Sequence, residues 1–406
     1  MQQLIFLLFL TLSFTNVSFF KIGLVSFTVF NALFLVAFFV RYIYNRQIVK
    51  LRVTNIHLLI TFYIVFVSFI NSDDVKVSSF IYSLIILFNI IILTDISNKI
   101  SSKMLLKIYK GILLVYFVNV FLTTLMIIAG LRPTGLIAAI FQYYDFANQV
   151  RPQGFASEPS YAAIIIVFSL LGILKITDFK IVKTNFKWYL MAIASIIMTQ
   201  SSYGLIMIFI IVVYILNKEK KQLFKSKFFL GFVILLIPLG IYLLVYSNLN
   251  SITRLATIFQ YVYDGNNISN SLVTLSEVDG SASFRVLPSI QMIEYYKTAP
   301  LSSILFGNGA GQASIFFSKF YSQFTEIETI NLGFVPSFFY NYGLIGVALI
   351  FYFIIKYLAK EKLLYILLFI LVLLNADFNS QLFVYVVFIL FSLRRFDAPN
   401  LTLKLK

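Results

Sequence analysis

The sequence predicts an all-α polytopic membrane protein of about twelve transmembrane helices, with a large helical extracytoplasmic loop between spans 9 and 10. Two observations predict this fold class. Of the 406 residues, 60% are apolar, 18% are aromatic and only 12% are charged, and the mean hydropathy is +0.92. The apolar residues also fall into long runs without charge, as in membrane-spanning helices rather than water-soluble ones.

Uncharged windows of roughly 15 to 20 residues give the boundaries of the spans. The first window follows no basic segment and precedes no small-residue cleavage site, so it is interpreted as a retained span and not as a signal peptide. The candidate spans are 4–20, 22–40, 57–71, 77–94, 111–129, 161–174, 188–200, 203–217, 228–247, 334–355, 363–376 and 380–393.

The charges predict the orientation of these spans. The chain has 32 basic and 16 acidic residues, a net charge of +16. With a cytoplasmic N-terminus, most basic residues fall on cytoplasmic connections and the outer connections are slightly acidic, which satisfies the positive-inside rule. Both termini are then cytoplasmic. Orientation and contact with anionic lipid explain the basic balance, so nucleic acid is not an expected partner.

The composition also excludes several kinds of chemistry. The chain has no cysteine, which excludes disulfides, thiol catalysis and thiolate metal sites. Its single histidine, His57, lies at the cytoplasmic end of the third span, where we expect an interfacial role. No Asp, Glu, Lys or Arg falls inside a proposed span, which disfavours an ion-coupled carrier.

Two long outer connections are the expected place for chemistry. The sequence shows no internal repeat and no linker, so residues 1–406 are predicted to form a single multi-pass membrane domain. Most outer connections in this topology are short, but 130–160 and 248–333 are long. Functional residues concentrate on such loops.

Four arginines lie in these two loops, against the usual distribution of basic residues: Arg132, Arg151, Arg254 and Arg285. The planar guanidinium matches phosphate oxygens with two parallel hydrogen bonds, so a cationic outer pocket would suit a lipid pyrophosphate head group. The alternative is that these side chains reach lipid phosphates or pair with outer acids.

The stretch RPQGFASEPSYAA, residues 151–163, interrupts the apolar pattern at the outer end of the sixth span. Ser157 or Ser160 is expected to cap the following helix, and Pro159 suits its first turn.

The same stretch carries a pair of opposite charges. Gly154 allows a tight turn, so that Arg151 and Glu158 are expected to converge beside the membrane. Such a pair supplies a cation for a leaving phosphate and a base for a hydroxyl. The alternative role of Glu158 is to complement the dipole of the helix that follows.

In the larger loop, the segment SASFRVLPSIQMIEYYKTAPLSSILFGNGAGQ, residues 281–312, predicts a helix after Ser283 and a turn at 299–300. Its glycine cluster at 307–311 lacks the lysine and hydroxyl residue of a nucleotide-binding loop, which favours a tight re-entry turn. The alternative is that its backbone amides hold an anion. The loop is also rich in aromatic residues, expected either to stack on sugar rings or to pack in the core or interface.

Several segments resemble motifs of bacterial membrane enzymes that transfer lipid-linked glycans. RPQGFASEPSYAA is similar to the signature R-x-x-G-[FL]-x-x-E-P-[SG]-x-x-A of many repeat-unit polymerases. TQSSYGLIMIFI, 199–210, resembles T-x-S-[RS]-x-G-x-[LI], with a tyrosine where an arginine is common. The segment 284–311 resembles a stretch in which an arginine precedes a P-L-x-x-[LI]-[FL]-G-x-G turn. NLGFVPSFFYNYGLIGVALIFYFI, 331–354, resembles the asparagine and the G-[LI]-[IL]-G span that follow it.

On these motifs, the chain from about 110 to 393 resembles the Wzy-type polysaccharide repeat-unit polymerases, which make O-antigen or capsule, within the O-antigen ligase and polymerase superfamily. The resemblance implies a GT-C-like membrane fold in the bacterial plasma (inner) membrane. The ligase branch usually has a histidine in the large loop. Since this chain has only His57, the resemblance favours the polymerase branch.

The resemblance implies a reaction and roles for the candidate residues. The expected substrates are a glycan donor and an acceptor, both linked to undecaprenyl pyrophosphate, with a chain-length regulator as a further partner. Glu158, Arg151 and Arg285 are the expected catalytic residues, and the expected substrate-binding residues are Arg254, Arg132, Tyr161 and Asn331. No Asp-x-Asp pattern occurs in the outer loops, so the expected glycosyl transfer needs no metal or other cofactor and inverts the anomeric centre.

Three other interpretations remain open. A ligase would transfer finished glycan to lipid A core or to protein. A flippase or another transporter of lipid-linked oligosaccharide also has about twelve spans, but such carriers usually line a central cavity with polar groups. A non-enzymatic scaffold or sensor would leave the outward arginines unexplained.

Overall fold

The computed structural model describes residues 2–22, 25–39, 55–71, 75–132, 134–146, 149–179, 185–223, 280–321, 332–357 and 362–397. The helices of this part of the chain are α1 Gln2–Leu12, α2 Val29–Phe38, α3 Asn55–Ile70, α4 Val77–Lys99, α5 Ser102–Ile128, α6 Gly135–Ile140, α7 Pro159–Ile176, α8 Phe186–Thr199, α9 Ser202–Leu223, α10 Gly280–Thr298, α11 Leu301–Phe306, α12 Gln312–Tyr321, α13 Phe334–Tyr357, α14 Lys362–Leu373 and α15 Gln381–Arg394. The strands are β1 Ser18–Ile22, β2 Val25–Thr28, β3 Gln142–Phe146 and β4 Gln149–Gly154.

The predominantly helical, membrane-embedded class is confirmed. Three helices, α5, α7 and α13, have the length and composition to cross a membrane. Seven shorter apolar helices of 10–17 residues accompany them in the described part of the chain. The sequence predicted about twelve spans, more than the ten apolar helices of the described part of the chain. One predicted span, 228–247, lies outside the described residues.

Two short antiparallel hairpins accompany the helices of this all-α class, and the first of them replaces part of the two predicted N-terminal spans. Strands β1 and β2 form an antiparallel hairpin where the first two spans, 4–20 and 22–40, were predicted to run as helices. Strands β3 and β4 form a second antiparallel hairpin in the outer loop 130–160. Strands β1, β2 and β3 are rich in aromatic and β-branched residues, which fit a pleated surface better than a helix. An apolar window does not distinguish a strand from a helix.

The first helix ends at Leu12 because a side chain distant in sequence donates hydrogen bonds to its last carbonyls. The amide nitrogen of Gln381 donates to the carbonyls of Thr11, Leu12 and Phe14 at 3.0, 2.8 and 3.2 Å. The last carbonyls of a helix have no partner within it, so this side chain stabilises an early end. With eleven residues, α1 is too short to span a bilayer alone.

The chain divides into two compact units. The first unit contains Met1–Ile108, Phe155–Ser157 and Ser283–Leu401, and the second contains Tyr109–Gly154, Glu158–Ala282 and Thr402–Lys406.

The second unit is built around α7, in which every residue is buried. Helix α9 approaches α7 closely at Gly204, where an added Cβ would lie 2.7 Å from the Cβ of Ala163. Gly172 of α7 similarly accommodates the ring of Tyr109, since an added Cβ would lie 2.5 Å from that ring. Glycine at these positions lets apolar helices approach more closely than larger residues would, as is common in membranes.

In the first unit, α13 is broken in its middle. Gly343 has φ +63° and ψ −173°, a conformation almost restricted to glycine, so the predicted span 334–355 consists of two half-helices. The turn 307–311 docks against this break. Its three glycines, Gly307, Gly309 and Gly311, all have positive φ, of 82°, 95° and 83°, which confirms the predicted tight turn.

The docked turn donates hydrogen bonds to backbone carbonyls at the break in α13. The amides of Asn308 and Gly309 donate to the carbonyls of Tyr340 and Asn341 at 3.0 and 2.9 Å. The hydroxyl of Tyr63, on α3, donates to the carbonyl of Tyr342 at 2.7 Å. Unsatisfied backbone groups are costly in an apolar environment, so the break depends on these partners.

Replacing Gly343 with alanine should therefore destabilise the protein strongly. Its Cβ would lie 2.4 Å from the carbonyl oxygen of Leu305, in a backbone conformation that alanine avoids. We expect a loss of about 2–5 kcal/mol from strain and overpacking, measured by thermal unfolding of the purified protein in detergent.

Gly130→Ala is the matched control, because Gly130 has φ +68° but nothing within 4 Å of an added Cβ. Its expected cost is about 1–2 kcal/mol, from the left-handed conformation alone. Equal losses for the two variants would contradict the role assigned to the docked turn.

Candidate functional site

The predicted signature, residues 151–163, folds as the end of a hairpin followed by the start of a helix. On β4, Arg151 pairs with Tyr144 and Pro152 pairs with Tyr143. A proline is tolerated here because a two-stranded sheet leaves one edge of each strand without a partner strand. The hairpin thus fixes the backbone that carries Arg151.

Arg151 is a buried arginine, with 9% of its surface exposed. Its guanidinium remains protonated in any protein environment. A buried charge must be compensated by nearby polar groups, which hold the side chain in one position. This burial does not fit an arginine that extends freely to lipid head groups.

Gly154 ends β4 in a left-handed conformation, φ +63°, as predicted for a tight turn. An added Cβ would lie 3.1 Å from the ring of Tyr116, so the position also requires a small residue. The three residues that follow belong to the first unit. There the carbonyl of Phe155 accepts from the amide of Asn16 at 3.2 Å, and the amide of Ser157 donates to the hydroxyl of Thr15 at 3.3 Å.

Helix α7 begins at Pro159, which confirms the proline prediction. The expected serine cap is wrong, because Glu158 is the N-cap residue. A proline forces the residue before it into an extended conformation, and Glu158 has φ −148° and ψ 155°. The hydroxyl of Ser160 donates to the Glu158 carboxylate at 3.2 Å instead of capping the backbone.

The side chain of Glu158 makes no capping hydrogen bond to its own helix and is half-buried. Its position next to the helix N-terminus agrees with the alternative dipole role, since a carboxylate there is favoured.

The other candidate residues lie in different surroundings. Tyr161, in the first turn of α7, is 6% exposed. Arg132 follows the C-terminus of α5 and is exposed. Arg285 lies in α10, in the first unit, and its side chain is outside the described part of the structure. Arg254 and Asn331 also lie outside the described residues.

The structure therefore places Arg151, Glu158 and Tyr161 in one hairpin-and-helix segment of the second unit. This segment is the first candidate site.

The structure bears on two alternatives that the sequence left open for the large loop. The amides of Asn308 and Gly309 donate to backbone carbonyls, so these two groups of the glycine turn do not form an anion cradle. The described aromatic rings of the loop pack mainly on one another. The ring of Phe316 lies 5.2 Å from that of Tyr295 and 4.7 Å from that of Tyr340, and Phe317 is fully buried. Core packing therefore accounts for most of these rings.

The first unit contains a polar cluster that sequence reasoning missed. Asp377, in the connection between α14 and α15, accepts from the hydroxyl of Ser337 on α13 at 2.5 Å. The neighbouring Asn379 accepts from Ser83 of α4 at 3.0 Å, and Ser83 accepts from the hydroxyl of Tyr342 at 3.1 Å. Two helices, α4 and α13, thus contribute hydroxyl groups to a cluster that contains one carboxyl group.

Burial raises the pKa of Asp377 from 3.8 to about 6, although hydrogen bonds from Ser337 and from the amides of Phe378 and Asn379 act in the opposite direction. A carboxyl group with such a pKa exchanges a proton near neutral pH. Perturbed groups of this kind concentrate at functional sites. Asp377 is therefore the second candidate site.

The sequence did contain a signal for Asp377. It is the acid in the polar run NADFNSQ, 375–381, between the last two predicted spans. That connection is on the outer side in the predicted topology, but it is short. A search limited to the two long outer loops therefore misses it. In the described part of the chain, no group of three or more His, Cys, Asp or Glu side chains has an arrangement that could hold a metal ion.

The raised pKa predicts a pH dependence of stability. The folded protein binds the Asp377 proton more tightly than the unfolded chain, so this contribution is fully present below about pH 4 and lost as the pH rises through about 6. We expect the melting temperature of the wild type, relative to that of Asp377→Asn, to fall between pH 4.5 and pH 7.5.

The control for this experiment is Asp178→Asn, since the side chain of Asp178 is 58% exposed and paired with Lys218 on the surface. The Asp178→Asn variant should show the same change in melting temperature between pH 4.5 and pH 7.5 as the wild type. A wild-type protein and an Asp377→Asn variant with the same pH dependence would contradict the raised pKa.

Comparison with known proteins does not identify a relative. The chain matches no protein-family model, no curated protein and no solved structure. The assignment of a function therefore depends on the residues and geometry described above.

Proposed function

We propose that this protein is a glycosyltransferase that polymerises oligosaccharide repeat units linked to undecaprenyl pyrophosphate, at the outer face of the bacterial plasma membrane. The observation that supports this proposal best is the folded form of residues 151–163. A hairpin strand presents the buried Arg151, and a glycine turn and a proline lead to Glu158 at the start of the buried helix α7. A basic and an acidic side chain are thus carried by one hairpin-and-helix segment.

The proposed reaction forms one glycosidic bond and breaks one sugar–phosphate bond. A hydroxyl oxygen of the acceptor sugar attacks the anomeric carbon of the donor glycan. The bond from that carbon to the pyrophosphate oxygen breaks, and undecaprenyl pyrophosphate leaves with the electron pair. The hydroxyl proton passes to a carboxylate. Attack from the face opposite the leaving group inverts the anomeric centre.

Arg151 is the proposed partner of the departing pyrophosphate. Negative charge grows on the leaving oxygen in the transition state, and a fixed guanidinium stabilises it there more than in the ground state. Preorganisation matters because a side chain that is already held in position needs no reorganisation during the reaction. The burial of Arg151 supports such a role. Arg285 keeps the same proposed role from the sequence, with Arg254 and Arg132 as further phosphate contacts.

Glu158 is the proposed base. A carboxylate at the boundary between the polar turn and an apolar helix can accept a proton from a sugar hydroxyl. The hydrogen bond from Ser160 fixes one of its oxygens, at 3.2 Å, and so orients the group. Tyr161 and Asn331 are the proposed hydrogen-bonding partners of the sugars.

The proposal places both termini in the cytoplasm and includes a chain-length regulator as a partner. The apolar helices support the bilayer environment itself. A ligase uses the same bond chemistry but a different acceptor, so it is distinguished by its products and not by the residues of the site.

The proposed reaction requires both charged residues of the signature. Arg151→Lys keeps the charge but loses the two-pronged hydrogen bonding, and Glu158→Gln keeps the shape but loses the base. We expect each to lower polymer formation about 100-fold at equal protein level, measured as the ladder of chain lengths in a deletion strain that carries each variant.

Lys297→Gln is the control, since the side chain of Lys297 is 63% exposed and its ammonium group pairs with Glu294 on the surface. It should give the wild-type ladder. Wild-type ladders from both test variants would refute the assigned site. The deletion strain itself should accumulate single repeat units, whereas unattached finished polymer would indicate a ligase.

A second prediction concerns metal dependence. If arginines neutralise the pyrophosphate, polymerisation by the purified protein in liposomes should proceed at an unchanged rate in the presence of excess EDTA. Its rate should be followed with the lipid-linked repeat unit as substrate. Loss of activity in EDTA that manganese or another divalent cation restores would show that the arginine mechanism is wrong.

A further inference from the structure

The outer helix α10 contains a buried amide side chain that the fold does not use. Gln291 is 9% exposed, and neither its amide nitrogen nor its amide oxygen has a hydrogen-bond partner among the described residues. An amide group offers two donors and an acceptor oxygen with two lone pairs. Burying all of them without partners opposes folding, and an apolar side chain of the same size would be more favourable there.

Part of the surface beside Gln291 on α10 is aromatic. Tyr295 lies one turn further along α10 on the same face, where side chains four residues apart are neighbours. Its hydroxyl donates to Asn308 at 3.2 Å, and its ring contacts those of Tyr296 and Phe316. Tyr295 and Phe316 are only half-buried, so part of this aromatic surface remains accessible beside the amide.

This combination matches the chemistry of a sugar ring better than that of a phosphate. Each sugar hydroxyl both donates and accepts a hydrogen bond, which suits an amide that also does both. The apolar C–H face of a pyranose suits an aromatic ring. A phosphate would require a cation or several donors directed at it, whereas the side chains just described are neutral.

We propose that Gln291, with Tyr295 beside it, binds a sugar ring of the lipid-linked glycan. This inference deepens the proposed polymerase function and depends on it. The amide holds hydroxyl groups of one monosaccharide, so Gln291 is a residue of substrate binding and specificity and not of the chemical step. The unfavourable burial of its amide is reversed when the glycan is bound.

The test separates this role from that of a structural residue. Gln291→Met keeps the volume of the side chain and removes its polar atoms. The variant should melt at the same temperature as the wild type or higher, because an unpartnered buried amide is lost. With the lipid-linked repeat unit from cells that lack this protein as substrate, its KM should rise about tenfold and its kcat should change less than twofold.

Ser68→Ala is the matched control. The hydroxyl of Ser68, on α3, is also buried without a partner among the described residues, and Ser68 is no part of the proposed site. This variant should gain or keep stability in the same way, with an unchanged KM. Gln291→Asn, which retains the amide but withdraws it by one methylene group, provides a second variant and should raise the KM as well.

The outcomes distinguish the two proposals. If the wild type polymerises the repeat unit and both Gln291 variants have its KM, the sugar-binding role is wrong while the polymerase function stands. If the wild type neither polymerises the repeat unit nor gains thermal stability from it, both proposals are wrong. A raised KM at unchanged or higher stability supports the role, because a merely structural residue would not move the two quantities in this way.

Discussion

The fold of the first unit depends on how the broken helix α13 satisfies its backbone. In an apolar environment each open amide or carbonyl is costly, and a helix can be interrupted only where other groups replace its internal hydrogen bonds. Here the glycine turn 307–311 and the hydroxyl of Tyr63 supply those groups. Gly343 permits the break, and Gly307 permits the approach of the turn, since an added Cβ at Gly307 would lie 2.5 Å from the backbone of Asn341. The turn 307–311 is therefore an integral part of the helical fold of this unit and not an appendage to it.

The sequence predicted helices well and their interruptions poorly, for a physical reason. An apolar window reports that a segment avoids water, which is true of a helix, of a hairpin such as 18–28 and of a broken helix such as α13 alike. Hydropathy therefore identified most of the apolar helices but missed the two hairpins. What separates these cases is local hydrogen bonding by residues distant in sequence, such as that of Gln381 with the end of α1. No local pattern contains that information.

In the candidate site, too, the sequence predicted some features correctly and others wrongly. Gly154 and Pro159 were predicted correctly, because the conformations of glycine and proline are decided by their own covalent structure. The cap was assigned wrongly to Ser157 or Ser160, because the proline fixes the preceding residue and makes Glu158 the N-cap. The motifs that resemble the polymerase family are in large part turn and close-packing devices, at Gly154, Gly204, Gly307 and Gly343. Such residues report backbone geometry and close packing, and the chemistry must be argued from the charged residues.

The polar side chains of this apolar chain differ in how far the fold satisfies their hydrogen-bonding groups. Gln381 and Asn308 complete the backbone of helix ends, and their cost is offset by the groups that they satisfy. Asp377 is held by a hydroxyl and two amides, yet burial still raises its pKa to about 6, so its surroundings do not fully stabilise the charge. Gln291 satisfies nothing among the described residues. A residue that lowers stability without completing the fold is expected where function requires it, because binding a substrate removes the penalty that folding incurred. By this physical criterion, sites of function include groups that the folded chain leaves incompletely stabilised, and Gln291, with neither amide atom satisfied among the described residues, and Asp377 meet it.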